Sequence, residues 1–164
     1  MGISIRRAKR TDARRLTGIA RAAKGHWGYP EELLDLWRRD LTVTPAFVAR
    51  QPVYCAIEGN EIVGFYGISG RGPVRELEHM WVHPRHIGAG IGRVLFDHLI
   101  GRLRAMHVTR LEVASDPNAA GFYRKMGARP IGRVLSKPAG RTLPLFLVRV
   151  APGRAPRDGA DQRS

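Results

Sequence analysis

Three glycines at alternate positions, Gly88, Gly90 and Gly92, follow the apolar run that ends at Val82-His83-Pro84, and an amphipathic pattern begins at once. That order predicts a strand, a tight loop and a helix. It sets main-chain N–H groups at the positive end of a helix with no side chains in their way, which suits a phosphate. Upstream, Glu76-Leu77-Glu78-His79-Met80-Trp81-Val82 sorts by the strand period of two. Glu76, Glu78, Met80 and Val82 then share one face, and Leu77, His79 and Trp81 the other. A pair of carboxylates on one face suits the removal of a proton from an ammonium, directly or through water. Downstream, Asp116-Pro117-Asn118 leads into Phe122-Tyr123 and Gly127. Without a ligand, Asn118 reads as a helix N-cap and Tyr123 as a core aromatic.

Several chemistries drop out on spacing. A dinucleotide fingerprint needs G-x-G-x-x-G, and Arg93 stands where its third glycine would fall. A P-loop needs Lys followed by Ser or Thr after the last glycine, and Arg93-Val94 supply neither. His79, His83 and His86 have the look of a metal cluster. Pro84 interrupts them and no cysteine or carboxylate set completes the coordination, so no metal is expected. The one cysteine, Cys55, lies in the apolar run Val53–Ile57 and reads as a buried strand residue, not a nucleophile.

Val82-x-Pro84 leading into Gly88-x-Gly90-Ile91-Gly92, with Asn118 through Tyr123 and Gly127 downstream, resembles the GNAT superfamily of acyl-CoA-dependent N-acyltransferases. The resemblance runs from about Ser4 to Val150. It implies acetyl-CoA as acyl-donor substrate, an amine acceptor, and direct attack of the amine on the thioester. By the same resemblance, Ile87, Gly88, Ala89, Gly90, Ile91, Gly92 and Arg93 would form the loop that grips the donor's pyrophosphate. The family usually has Arg or Gln three residues before Gly90, and this sequence has Ile87 there. Arg85, His86 and Arg93 offer charge nearby. The N–H of Met80 would hold the acetyl oxygen, Val82 would meet the pantetheine arm through its main chain, and Trp81 lies between them. Asn118 would bond the arm and Phe122 would pack inward. Tyr123 would be the general acid for the leaving thiolate, and Glu76 or Glu78 the base. His26, Trp27 and Tyr29 fall in the region that overhangs the acceptor, as a pocket wall or as a plug for the sheet edge.

The elements that must position these residues follow from periodicity. Ile3–Arg6 is a first strand. Thr11 caps a helix whose Leu16, Ile19, Ala20 and Ala23 recur at three and four residue steps, ending at Lys24-Gly25 before a loop over His26–Pro30. A second helix is expected over Glu31–Asp40, with a connecting segment between Pro45 and Pro52. Gly59-Asn60 turns a hairpin between Val53–Glu58 and Ile62–Ser69. Leu77–Val82 is a strand, and Ile91, Val94, Leu95, Leu99, Leu103 and Met106 form one stripe of the helix that follows. Val108–Ala114, Ile131–Leu135 and Leu143–Val150 are strands, with a short helix from Asn118 to Met126. The expected class is α+β in the GNAT fold: a mixed, mostly antiparallel twisted sheet of about seven strands flanked by about four helices. Leu77–Val82 and Val108–Ala114 would be its splayed central strands.

Residues 1–150 read as a single acetyltransferase domain and 151–164 as a disordered tail without core-forming residues beyond alanine. No apolar run is long enough for a membrane span, no signal peptide opens the chain, and a single cysteine fits a reducing cytoplasm. The net charge of +14 suggests nucleic acid, but only four of the 28 basic residues are lysine. The arginines are scattered with no basic block or aromatic platform, which argues against nucleic acid as the main partner. A homodimer is common in the family and no residue pattern here establishes one. A non-catalytic acyl-CoA-binding regulatory module is the alternative to the enzyme, and a basic nucleic-acid binder the weaker one.

Overall fold

The computed structural model describes residues 2–136 and 140–153. Its strands β1 (Ile3–Arg7), β2 (Val53–Glu58), β3 (Glu61–Ser69) and β4 (Val74–Val82) run as antiparallel neighbours. β5 (Arg110–Ala114) pairs in parallel with β4, β7 (Thr142–Arg149) runs antiparallel to β5, and β6 (Arg129–Leu135) closes the far edge. The order β1-β2-β3-β4-β5-β7-β6 is the expected mixed, mostly antiparallel sheet of seven strands.

The helices are α1 (Ala13–His26), α2 (Glu31–Leu36), α3 (Pro45–Arg50), α4 (Ile91–Ala105) and α5 (Ala120–Lys125). α4 lies on one face, where Ile91, Leu95, Leu99 and Leu103 are buried against Val63, Tyr66 and Leu111. Each such side chain contributes about 1.5–3 kcal/mol by leaving water. α1 covers the other face with Leu16, Ile19 and Ala20, packed with Val48, Val53 and Phe65. Cys55 is fully buried in that second cluster, and burial pushes its thiol up to about 12. It is a core residue.

Several local expectations need correction. Helix α1 starts after a short 3-10 turn, with Asp12 rather than Thr11 at the N-cap position and no side-chain cap bond, and it continues through His26. Helix α2 stops at Leu36, because Trp37 turns inward to be buried in the α1-side core. The Pro45–Pro52 segment is no simple connection: Thr44 accepts a hydrogen bond from the Phe47 N–H and Pro45 starts a one-and-a-half-turn helix. Val94 is exposed and does not belong to the buried stripe of α4. The short helix after Asn118 is a 3-10 turn over Pro117–Ala119 followed by α5. No helix among the described residues is long and apolar enough to cross a membrane. The tail from 154 onward lies outside the described residues.

The feature that makes a site is where β4 and β5 part. They share only the rungs Val74–Arg110, Arg75–Leu111 and Glu76–Glu112. From Leu77 onward β4 has β3 on one side and an open gap on the other.

Candidate active site

The gap has a wall made of main chain. The N–H of His83 donates to the Val63 carbonyl at 2.8 Å, which fixes the phase of the β3–β4 ladder. Antiparallel pairs alternate between bonded and unbonded rungs, so Trp81 bonds to β3 while the N–H groups of Met80 and Val82 turn to the opposite edge. That edge is the gap.

Strand parity fails at one residue. Gly67 stands opposite His79 and Ile68 opposite Leu77, which leaves Glu78 as an extra, bulged residue. The bulge reverses the sidedness of everything before it. Leu77 joins Met80 and Val82 against the α4-side core, while His79 and Trp81 pack toward the other face. Glu76 therefore opens onto the face of His79 and Trp81, not onto that of Met80 and Val82. Glu78 sits at the bulge itself, its Oε1 accepting from the Ser69 hydroxyl at 2.6 Å.

Two cavities meet through the gap. One, of about 590 Å³, is lined by Met80, Val82, Ile87, Gly88, Gly90, Ile91, Gly92, Arg93, Asn118, Phe122 and Tyr123. The other, of about 660 Å³, lies on the α1 side and takes in Glu76, His79, Glu112, Lys24 and Arg141. Leu77, Glu78, Trp81 and Ala114 line both. Every donor-side residue expected from the sequence borders the first cavity except Ala89, whose N–H is spent on the His86 carbonyl at 3.3 Å.

The glycine loop delivers the amides it promised. Gly88 and Gly90 take φ of +86° and +78°, left-handed values that a side chain would strain, and Gly90 is the N-cap of the fifteen-residue α4. The first helical N–H groups, on Ile91, Gly92 and Arg93, have no acceptor within the helix. Gly92 is close-packed: a Cβ there would lie 3.2 Å from the Phe122 ring, which would have to shift by a few tenths of an ångström. Ile87 is 54% exposed at the mouth.

The second motif is held differently from a simple N-cap. Asp116 caps the 3-10 turn, accepting from the Asn118 N–H at 2.8 Å. The Asn118 side chain donates to Asp116 at 2.9 Å and to the Tyr29 hydroxyl at 3.1 Å. Burial of Asp116 acts against its charge, but donors from Lys24, the Asn118 main chain and Tyr29 outweigh it and hold the carboxyl down at about 2. Tyr123 is 6% exposed between Phe122 and Phe146, and burial pushes its phenol up, so it stays protonated throughout the ordinary pH range.

The expected acceptor trio separates. His26 and Trp27 border the donor-side cavity, and Tyr29 borders neither, its hydroxyl being fully used by Asp116, Asn118 and Arg141. His79 is a buried neutral imidazole: burial brings it down to about 4, and its Nδ1 accepts from the Trp81 indole at 3.1 Å. Among the described residues no group of three or more His, Cys, Asp or Glu is arranged to hold a metal ion. Sequence reasoning missed Lys24, Glu112, Asp116 and Arg141. Of these only Asp116 carried a local signal, as the Asp of an Asp-Pro turn start.

The model of the Acetyltransferase (GNAT) family matches residues 14–128. The peptidyl-lysine N-acetyltransferase YjaB of Escherichia coli (strain K12) is 30% identical over 152 residues, spanning 89% of this chain and 95% of that protein. Among solved structures, the PaiA N-acetyltransferase of Thermoplasma acidophilum in complex with coenzyme A is similar with a TM-score of 0.76 at 17% identity, covering 91% of this chain and 99% of that one. The solution structure of the apo form of YjaB from Escherichia coli gives 0.64 at 25% identity, over 93% and 100%.

Proposed function

Because the chain belongs to the GNAT family of acetyltransferases, we propose that it moves the acetyl group of acetyl-CoA to a primary amine by direct attack in a ternary complex. The observation that carries this reading is the gap between β4 and β5, through which a cavity with a phosphate-suited loop meets a cavity with carboxylates. The donor's pyrophosphate is bound by the N–H groups that open α4, and its arm lies along Val82 and Asn118. In the other cavity Glu76 and Glu112 hold the acceptor as its ammonium.

Glu78, at the junction of the two cavities, takes a proton from that ammonium. The neutral amine attacks the thioester carbonyl carbon, and the N–H of Met80 stabilises the oxyanion that forms. The C–S bond then breaks, the thiolate takes the Tyr123 proton as it leaves, and the second proton that the nitrogen sheds in becoming an amide restores the phenol. No covalent intermediate is invoked: Cys55 is buried on the opposite face from α4, and the Ser115 hydroxyl donates to the Asp116 carbonyl at 2.7 Å.

The acceptor class comes from the relative named for peptidyl-lysine acetylation, at 30% identity along nearly the whole of both chains. The reading is therefore a lysine side chain in a peptide or protein. A peptide with blocked termini and one free lysine, incubated with acetyl-CoA, should gain one acetyl group on Nε by mass spectrometry, with thiol released in equal amount. Acetylation of small amines but of no lysine peptide would overturn the acceptor class. Coenzyme A binding without turnover on either would leave a non-catalytic acyl-CoA-binding module.

A further inference from the structure

We propose that Asp116 is a positioning residue that fixes the side-chain amide of Asn118 with its carbonyl oxygen turned to the donor cavity. The inference rests on the reading of Asn118 as a contact of the donor's arm. An asparagine amide offers two donors on one end and an acceptor on the other, and a half-turn about χ2 exchanges them. An arm amide N–H needs the oxygen. Here the choice is forced by chemistry: a carboxylate held ionised can only accept, so the end of Asn118 that faces Asp116 Oδ1 at 2.9 Å is Nδ2. Asn118 Oδ1 is then left for the cavity that Asn118 lines, with no donor to it among the described residues.

The carboxylate is itself locked. Lys24 from α1 and Arg141, immediately before β7, both donate to Asp116 Oδ2. The Tyr29 hydroxyl uses all its capacity: it donates to Asp116, and accepts from Asn118 Nδ2 at 3.1 Å and Arg141 at 2.9 Å. Both cations also sit over the Trp37 ring, each 4.4 Å from its centre. Asp116 keeps only 8% of its side chain exposed, so its bonds to the 9%-exposed Lys24 are nearly dry, while Arg141 keeps 26% and Asn118 meets solvent. A residue adjacent to the cleft but tied on its far side to α1 and the β6–β7 return would set the amide before the donor arrives.

Titration calorimetry with coenzyme A, and with 3′-phosphoadenosine 5′-diphosphate as the fragment lacking the arm, tests this. Asn118→Ala and Asp116→Ala should each weaken coenzyme A by ~5–10-fold and leave the fragment unchanged. The double variant should be no worse than Asn118→Ala alone, since Asp116 acts through that amide. Should Asp116→Ala fail to fold, Tyr29→Phe removes one of the two acceptors of Nδ2. It should cost ~2-fold, again only with the arm present and only when Asn118 is intact. Additive losses, or losses shared by the fragment, would make Asp116 a structural residue. Normal coenzyme A binding by Asp116→Ala or Tyr29→Phe, with Asn118→Ala impaired, would also overturn the positioning role. If Asn118→Ala itself binds coenzyme A normally, the reading of Asn118 as an arm contact falls, and the positioning role falls with it.

Discussion

Glu76 and Glu112 stand opposite each other in the last parallel rung that β4 and β5 share, and both side chains line the α1-side cavity. Like charges directly across a sheet destabilise it by a few tenths of a kcal/mol or more. A bound ammonium would relieve that repulsion. Glu112→Gln should therefore leave the free protein as stable as wild type or slightly more so, and raise the KM for the acceptor with kcat little changed. A fall in kcat at unchanged KM would place Glu112 in the chemistry instead.

Glu78 and Glu76 should behave differently, since only Glu78 borders both cavities. Glu78→Gln should lower kcat by ~10²-fold near neutral pH, with recovery toward high pH where the amine loses its proton unaided. Glu76→Gln should act chiefly on the acceptor KM. Steady-state rates across pH separate the two, and the reverse assignment would make Glu76 the base.

Tyr123→Phe keeps the buried ring and deletes only the hydroxyl, so a packing role predicts nearly normal turnover. A general acid predicts a loss of ~10²-fold in kcat with coenzyme A affinity little changed. The defect should ease with a donor whose thiol is more acidic. Thiol-release kinetics with both donors decide the matter, and turnover at the wild-type rate would assign the proton to another group.

Ile87 occupies the place where the family usually has Arg or Gln, and it is exposed beside the loop. Ile87→Arg should tighten coenzyme A by up to ~10-fold, the worth of one charge-assisted contact of about 1.5 kcal/mol. Gly90→Glu should weaken it by more than ~10-fold, because it adds charge and a strained left-handed residue at the proposed pyrophosphate site. Calorimetry on the folded variants measures both. Unchanged affinity in Gly90→Glu would remove the loop from the binding site.

His79 makes stability depend on pH. Its folded value of about 4 lies below the ordinary 6.5, so the unfolded chain takes up a proton first as the pH falls. The neutral imidazole's advantage is intact above about pH 6.5 and is lost down to about pH 4, amounting to about 3 kcal/mol over that window. His79→Gln retains an acceptor for the Trp81 indole and has no proton to take up. Its Tm should fall less steeply than that of wild type between those pH values, and parallel curves would contradict the assignment. Below that window Asp116, held at about 2 against an ordinary 3.8, takes over: its contribution is present above about pH 4 and fades toward pH 2.

The sequence showed the glycine loop, the Gly59-Asn60 hairpin and the stripe of α4 because each is local, written in consecutive residues or a simple period. The residues it assigned to the donor side border one cavity, apart from Ala89. The sidedness of Glu76 was misread because the bulge at Glu78 leaves no mark in the strand pattern: it arises from the pairing with Gly67 and Ile68. Trp37 ends α2 early through tertiary burial that outweighs a helical period running to Asp40. The Lys24–Asp116–Arg141 network joins residues 92 and 25 positions apart, and nothing local announces such contacts. Tyr29, expected near the acceptor, was drawn into that network for the same reason.

Acetyl-CoA lying across the gap between β4 and β5 would be visible in a crystal structure with coenzyme A. The pyrophosphate should lie within hydrogen-bond distance of the N–H groups of Gly92 and Arg93. The arm should run against Val82 and Asn118 Oδ1, with the sulfur at the passage between Glu78 and Tyr123. Coenzyme A bound away from the α4 N-terminus, or with its thiol on the far side of the sheet from Tyr123, would overturn that placement.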